Sequence, residues 1–271
     1  MSEVAYILGH SEHEIRRLML QAALLKPITA RMLQEAGIES GMRILDLGTG
    51  CGDVAMLAAE LVGPAGSVVG IDRSDDALAA ARERARLAGH SNIRFHRGNA
   101  EDFVETVPFD MAIGRYVLIH QADPSVFIRC AASHVRPGGT VAFHEISLRS
   151  VPQAYSSVPI YAQCISWLGA AFADAGAQLD LAKRIAQHFR RAGLKHPSSF
   201  CEVPVGADAD SPIFSWVSLG LRSLLPHIEA TGIATAEEVG IDTLEDRLRA
   251  AATVADELTF GPEQICCWAK L

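Results

Sequence analysis

The sequence predicts an α/β fold built on a doubly wound, mostly parallel sheet, and three observations favour it. From about residue 43 to 146, strand-like and helical segments alternate, as in successive βαβ units. The strand-like segments are nearly continuous in apolar residues, as in Ser67–Ile71, which suits a sheet buried on both faces. A glycine-rich turn, "GTGCG", joins the first strand to the first helix.

The individual elements follow from local patterns. Apolar residues at helical spacing predict a helix over Asp53–Val62, and Ser74 is expected to cap the N-terminus of the next helix. The predicted strands are, in order, "RILDL", "SVVGID", "NIRFHRG", "DMAIGR", "GGTVAFHEI", "SSFCEVPVG" (Ser198–Gly206) and "EQICCWAKL". The chain therefore has seven predicted strands.

The flanking segments predict a helical cap. Residues 1–40 are expected to form two helices that act as an N-terminal lid, with an apolar stripe at Ile15, Leu18, Met19 and Ala22. Residues 41–150 form the predicted core domain. Residues 151–271 complete the sheet and carry cap insertions at about 155–176 and 211–256, the second interrupted at Pro226.

Composition narrows the function classes. The 271 residues are 49% hydrophobic, which is enough for a sizeable core, and the net charge of −8 argues against a nucleic-acid partner. No signal peptide or apolar run of transmembrane length is visible, so we expect a cytoplasmic protein without a membrane partner. The six cysteines lack metal-ligand spacing, so we expect no metal site. The adjacent pair Cys266–Cys267 should point to opposite faces of a strand.

The glycine turn predicts a nucleotide-like ligand. Glycines let the backbone turn tightly and approach a ligand, and Asp72, at the end of the second strand, is placed to bind ribose hydroxyls. The spacing is GxGxG, and Asp46 stands two residues before Gly48. A carboxylate there would repel a pyrophosphate but suits an amine or a sulfonium. "GNAEDF" (Gly98–Phe103) offers polar groups for an adenine edge.

Together these motifs resemble the class I S-adenosylmethionine (SAM)-dependent methyltransferases, in particular the small-molecule branch that includes the ubiquinone/menaquinone-type C-methyltransferases. The resemblance covers Gly41–Ile146 and rests on five segments in order: "LDLGTGCG", "VVGIDRS", "GNAEDF", "FDMAIGRYVLIH" and "VRPGGTVAF". It implies a seven-stranded Rossmann-like sheet whose last strand is antiparallel. Asn99 departs from the aspartate common in the family, yet its side-chain oxygen can still accept a hydrogen bond.

The resemblance also implies a SAM site, with a role for each residue. Gly48, Thr49, Gly50 and Gly52 would form the loop around the methionine and ribose parts, and Asp46 would hold the amino group. Asp72 would bind the ribose hydroxyls and Arg73 would cover one face of the adenine. Asn99, Ala100 and Glu101 would reach the adenine edge, and Arg115 would offer its backbone carbonyl near the amine.

The acceptor should lie beyond the carboxyl ends of the strands, under the cap. His120 is the first candidate base and His144 the second, although either could have a purely structural role. The expected small-molecule substrate would contact aromatic and polar side chains of the cap and strand ends: Tyr6, His10, Gln121, Tyr155, Tyr161, Trp167 and Trp216.

Three alternatives stay open on the sequence alone. A nicotinamide-dependent dehydrogenase shares the strand–turn–helix pattern, but Asp46 and the glycine spacing speak against it. A SAM-binding regulatory protein would keep the cofactor site without an acceptor cavity. A third protein class would use SAM only as an electrostatic helper. A homodimer formed through the N-terminal or late helices is compatible with the sequence.

Overall fold

A seven-stranded sheet organises the chain in the computed structural model, which describes residues 12–148 and 158–271, with side chains from residue 16 onward. The described strands are β1 Arg43–Leu47, β2 Ser67–Asp72, β3 Ile93–Arg97, β4 Phe109–Arg115, β5 Val135–Ser147, β6 Ser198–Glu202, β7 Val205–Gly206, β8 Thr259–Phe260 and β9 Glu263–Lys270. The main sheet has the order β3-β2-β1-β4-β5-β9-β6. β9 lies between β5 and β6 and runs antiparallel to both, whereas the strand pairs from β3 to β5 are parallel. The predicted fold class is confirmed.

Helices surround this sheet. Those described are α1 Glu12–Glu35, α2 Asp53–Val62, α3 Asp75–Leu87, α4 Pro124–Ser133, α5 Pro159–Asp174, α6 Leu181–Arg191, α7 Pro212–Ala230, α8 Ala236–Val239 and α9 Leu244–Ala255, with a 3₁₀ helix at Leu118–His120. Ser74 caps α3 as predicted, since its hydroxyl accepts the backbone N–H of Ala77 at 3.2 Å. α1 packs against α7, and α5 packs against α7.

The sheet buries apolar residues on both faces, as a doubly wound fold requires. Ile44 and Leu45, adjacent in β1, belong to two different core clusters. Cys266 and Cys267 divide between the same two clusters, which confirms that their side chains point to opposite faces. All six cysteines carry free thiols. No helix in the described ranges is both long and apolar enough to traverse a bilayer.

The N-terminal segment differs from the prediction. From residue 12 onward it is one helix, α1, that continues through Pro27. The apolar stripe was placed in the wrong phase: Met19 is 51% exposed, whereas Leu25, Ile28 and Met32 are buried against the sheet. This burial offsets the backbone hydrogen bond that a proline removes from a helix. The second half of α1 is thus core, while the assignment of residues 1–40 as a lid stays a prediction.

Two further expectations about the C-terminal part were wrong. α7 passes through Pro226 without interruption, because its buried face, including Leu221, Leu224 and Ile228, continues on both sides. The segment predicted as one strand, Ser198–Gly206, is two: β6 joins the main sheet, whereas β7 pairs with β8 in a separate two-stranded sheet.

Sheet topology positions the site. The strand order reverses between β1 and β4, which places a crevice at their carboxyl ends. The segments that follow β1, β2, β3 and β4 all reach this edge of the sheet.

Candidate active site

The loop after β1 has the backbone that its glycines predict. Gly48, Gly50 and Gly52 have φ angles of 67°, 51° and 81°, in the left-handed region that favours glycine. A Cβ at Gly48 would lie 2.9 Å from Cγ2 of Val117, so a larger residue would collide with the segment after β4. A Cβ at Gly52 would lie 3.1 Å from both Ala81 and Phe95. Gly52 therefore serves packing at the start of α2.

Asp72 ties this loop to the end of β2. Its Oδ2 accepts the backbone N–H of Gly50 at 2.9 Å, and its Oδ1 accepts the N–H of Ser74 at 3.0 Å. The backbone N–H of Thr49 donates to the carbonyl of Ile71 at 2.9 Å. A carboxylate offers about four lone-pair sites, so each oxygen of Asp72 keeps accepting capacity toward a ligand.

Asp46 lies beneath the loop. It is 1% exposed, and its Oδ2 accepts the hydroxyl of Thr49 at 2.6 Å. Burial raises its pKa to about 7, against the lowering effect of the Thr49 hydrogen bond and the charge of Arg115. Thr49 lines the crevice and Asp46 stands behind it. The structure therefore does not place the Asp46 carboxylate directly against a ligand.

Arg115 ends β4 with a side chain that is only 6% exposed. Its guanidinium lies 3.8 Å from the carboxylate of Asp53, which also pairs with Arg84 at 2.5 Å, and it donates to Thr29 Oγ1 at 3.3 Å. This ion-pair group fixes the start of α2 against the end of β4.

The segment after β3 lies at the far side of Asp72, whose carbonyl accepts the backbone N–H of Gly98 at 3.0 Å. Asn99 Nδ2 donates to Asp102 at 3.2 Å, and the carbonyl of Ala100 accepts Nε2 of His134 at 2.9 Å. Ala100 is buried, whereas Asn99 and Glu101 are exposed.

One cavity of about 630 Å³ joins these segments to the cap, a volume within the usual range for small-molecule sites. Predicted cofactor residues form one part of its lining: Gly48, Thr49, Gly50, Asp72, Arg73, Asn99, Ala100, Glu101 and Arg115. Predicted acceptor-side residues that line it are His120, Gln121 and Trp216. The structure thus brings the two predicted sets into one space.

The cap closes the cavity with three helices. α1 contributes Arg17, Leu18 and Gln21; α5 contributes Ile165, Leu168 and Phe172; α7 contributes Trp216, Val217 and Gly220. Ile146 and Leu148, at the end of β5, add further apolar lining. The space under the cap is therefore open and mainly apolar. A collapsed acceptor space would have favoured the alternative of a purely regulatory SAM-binding protein.

Some predicted site residues lie elsewhere. Tyr161 is fully buried, with its ring 6.2 Å from that of Phe214, and Trp167 packs on the core outside the lining. The structure gives neither a contact with the cavity. Tyr6, His10 and Tyr155 lie outside the described residues.

His144 is a hydrogen-bonded core residue. Gln264 Nε2 donates to the carbonyl of Pro262, so Gln264 Oε1 faces His144 Nε2 at 3.0 Å and must accept its proton. The other ring nitrogen, Nδ1, lies 3.0 Å from the hydroxyl oxygen of Thr29. Burial, aided by the charge of Arg115, lowers the pKa of His144 to about 3. It is outside the cavity lining, so the structure gives no support for it as a base.

His120 lines the cavity beside Phe172, with ring centroids 6.4 Å apart. Burial, and then the charge of Arg73, lower its pKa to about 4. The imidazole is therefore neutral at physiological pH and too weakly basic to hold a proton there.

The segment that carries His120 is held by a residue of β5. Glu145 is fully buried, and its Oε1 accepts the backbone N–H groups of Val117 at 3.0 Å and Leu118 at 2.8 Å. Its Oε2 has no hydrogen-bond partner within the described part of the chain. Burial raises the pKa of Glu145 to about 8.

Sequence reasoning missed five polar residues of the lining: Arg17, Gln21, Asp53, Ser74 and Tyr116. Tyr116 has a φ of 58°, and its hydroxyl donates to Gln264 Oε1 at 2.5 Å. Burial raises its pKa, so the phenol stays protonated. Leu25, Ile28 and Met32 define one face of α1, and helical spacing places Arg17 and Gln21 on the same face. This spacing is the sequence signal that could have identified both residues.

Comparisons with known proteins identify the family of the chain. A family described as a methyltransferase domain matches residues 38–192. A demethylmenaquinone methyltransferase of Lactococcus lactis is 29% identical over 162 residues, which is 59% of this chain and 64% of the relative. A ubiquinone biosynthesis O-methyltransferase of Pseudomonas syringae is 31% identical over 143 residues, 52% of this chain and 59% of the relative. The matched stretches thus span less than two thirds of either relative.

Among solved structures, a SAM-dependent methyltransferase from Geobacter sulfurreducens in complex with S-adenosyl-L-homocysteine superimposes with a TM-score of 0.53. It covers 90% of this chain and 91% of that one at 21% identity, and it supports the fold. The fold and site define a Rossmann-like methyltransferase domain. The chain belongs to the class I SAM-dependent methyltransferases. This membership does not favour the alternative of a nicotinamide-dependent dehydrogenase.

Proposed function

We propose that this chain transfers a methyl group from SAM to a small organic metabolite held under helices α1, α5 and α7. One observation carries the proposal: a single cavity is lined both by the glycine loop with Asp72 and by the apolar cap. SAM, when bound, supplies the methyl group on a sulfonium whose sulfur is the leaving group.

The residues fit a SAM site by their donor and acceptor pattern. Asp72 holds Gly50 and Ser74 by backbone N–H groups and keeps lone pairs for ribose hydroxyls. Gly48 leaves space that a Cβ would fill against Val117. Arg73 would cover the adenine face, and the segment Asn99–Glu101 would reach its edge.

The amino-acid end of SAM would lie on the other side of the glycine loop. Thr49 would contact it directly, with Asp46 acting from beneath through the Thr49 hydroxyl. The backbone carbonyl of Arg115 would lie near the amine. Gly52 would shape the loop through its packing at the start of α2.

Catalysis in this proposal depends on proximity and orientation, which can supply much of a methyl-transfer barrier. His120, with a pKa near 4, positions the acceptor and takes no proton from it at neutral pH. Gln121 and Trp216 contribute further acceptor contacts from the lining.

The acceptor class rests on the cavity. Its mainly apolar cap suits a small organic molecule, and the relatives named for demethylmenaquinone and ubiquinone biosynthesis support such a substrate. A nucleic-acid partner is disfavoured by the net charge of −8. We place the reaction in the cytoplasm, since all six cysteines are free thiols. Homodimerisation stays a prediction.

Calorimetric titration of the purified protein with SAM, S-adenosylhomocysteine and NAD tests the proposal. Micromolar binding of both sulfur ligands without NAD binding is the expected result. A screen of small organic acceptors with a methyl-transfer readout follows. Binding of NAD alone would overturn the proposal, and SAM binding without turnover of any acceptor would favour a regulatory role.

A further inference from the structure

The cap side of the cavity carries one charge. Among the lining residues that the described parts of α1, α5 and α7 contribute, Arg17 alone is ionisable; most of the others are apolar. Arg17 is only 7% exposed. A guanidinium stays charged at any physiological pH, so this side of the cavity carries a permanent positive charge.

The guanidinium is held in a fixed position. Its Nη1 donates to Gln21 Oε1 at 2.7 Å, and the indole N–H of Trp216 donates to the same oxygen at 3.3 Å. Because both partners are donors, the amide oxygen of Gln21 must face them. Trp216 on α7 therefore holds the amide of Gln21, which in turn holds Arg17.

The cap also makes room for this side chain. Gly220 lies in the interior of α7, where glycine is unfavourable, and it lines the cavity. A Cβ at Gly220 would lie 3.9 Å from Cδ of Arg17 and 3.5 Å from Leu168. Any larger side chain would occupy the space beside the arginine stem.

We propose that Arg17 binds an anionic oxygen of the methyl acceptor, so that the acceptor is an apolar molecule bearing a carboxylate or an ionised phenol or enol. This inference rests on the proposed function. An oriented arginine fork in an apolar pocket recognises such oxygens strongly, because charge-assisted hydrogen bonds are stronger than neutral ones. Tyr116, on which the charge of Arg17 also acts, adds a phenol oxygen to the same region.

An anionic acceptor also accounts for the weakly basic site. The pKa of His120 is lowered to about 4 and that of Tyr116 is raised, so neither side chain is suited to take a proton from the acceptor near neutral pH. An acceptor that enters already ionised, or ionises beside Arg17, needs no such base for its oxygen.

The test uses the protein saturated with S-adenosylhomocysteine and two matched probe pairs. The first is 1-naphthoate with 1-naphthamide; the second is 4-nitro-1-naphthol, which absorbs visibly when ionised, with its methyl ether. We expect at least one anion to bind more tightly than its neutral partner by about tenfold or more. Preference for the first pair identifies a carboxylate acceptor, and preference for the second identifies an ionised phenol or enol.

Variants then locate the effect. Arg17→Gln should abolish the preference while S-adenosylhomocysteine binding persists, Arg17→Lys should retain part of it, and Arg16→Gln, which removes the same charge from the exposed face of α1, should leave it intact. Equal binding of both members of each pair to the unmodified protein would overturn the inference, as would a preference that survives Arg17→Gln. Failure to bind S-adenosylhomocysteine would instead overturn the proposed function.

Discussion

The carboxylate of Asp72 accepts the backbone N–H of Gly50 at 2.9 Å, and this bond joins β2 to the glycine loop at the cavity. Replacing Asp72 by Ala should weaken binding of SAM by more than about tenfold, because hydrogen bonds to a charged group contribute roughly 1.5–3 kcal/mol each. Calorimetric titration measures the change.

Asp75→Ala is the matched control, since that carboxylate is exposed on α3, lies outside the cavity lining and pairs with the exposed Arg97 at 3.3 Å. The control should bind SAM normally. Unchanged SAM affinity in Asp72→Ala would contradict the assignment of Asp72 to the ribose hydroxyls.

Ionisation of Glu145 should lower the free energy of unfolding as pH rises. The variant Glu145→Gln should lack this dependence on pH. Its pKa is raised from 4.5 to about 8, so between these values the folded protein holds a proton that the unfolded chain has lost. Stability therefore falls with rising pH across this window, by up to about 1.4 kcal/mol per pH unit. Gln at this position keeps an oxygen for the N–H groups of Val117 and Leu118 and does not titrate.

Urea unfolding of both proteins from pH 5 to 9 measures the effect. The stability of Glu145→Gln relative to the original chain should increase from pH 5 to 8 and then level off. Asp46, whose raised pKa has the same sign, is present in both proteins and cancels in the difference. A difference that does not vary with pH would show that Glu145 ionises normally.

His120 should stay neutral far below the usual histidine pKa. Burial and Arg73 lower its pKa to about 4, so its imidazole should begin to protonate only near pH 5, whereas a free histidine is half protonated at 6.5. Because the unfolded chain binds this proton more readily, the residue should also lower stability as pH falls from 6.5 toward 4.

Nitrogen-detected NMR of the histidine side chains from pH 4 to 8 follows this titration, with His120→Asn assigning the signal. Exposed histidines such as His96 provide the reference in the same spectra. An inflection for His120 near 6.5 would restore it as a candidate base.

The core of the fold was predictable from sequence because local signals and burial agree there. The glycine turn, the Ser74 cap and the opposite faces of Cys266 and Cys267 each follow from local geometry. Prediction failed where tertiary packing decides. The sequence cannot show that packing on both sides of Pro27 and Pro226 outweighs the lost hydrogen bonds.

The cofactor side of the candidate site was also more predictable than the acceptor side. Cofactor residues follow strands directly, so their place at one sheet edge follows from topology. Acceptor-side residues lie on separate helices, and a one-residue error in the phase of α1 was enough to pick Met19 and overlook Arg17. Tyr161 and Trp167 show the same difficulty, because an aromatic residue on a cap helix serves the core as readily as the cavity.

Gly220 should set the size of the acceptor space. A methyl group at this position meets Leu168 and Arg17 at ordinary van der Waals distances of 3.5 and 3.9 Å. Gly220→Ala should therefore raise the free energy of unfolding by up to about 1 kcal/mol, from helix propensity alone. Gly220→Leu should fill the space under the cap and reduce binding of 1-naphthoate by more than about tenfold, with S-adenosylhomocysteine affinity within about twofold of the original.

Urea unfolding and calorimetry on both variants make the comparison. Gly169→Ala on α5 is the control for the helix-propensity effect: its Cβ would lie 3.7 Å from the carbonyl of Leu148, and Gly169 is outside the cavity lining. It should stabilise the helix without changing ligand binding. Gly220→Leu with unaltered naphthoate binding would show that the acceptor enters from another side of the cavity, away from Arg17.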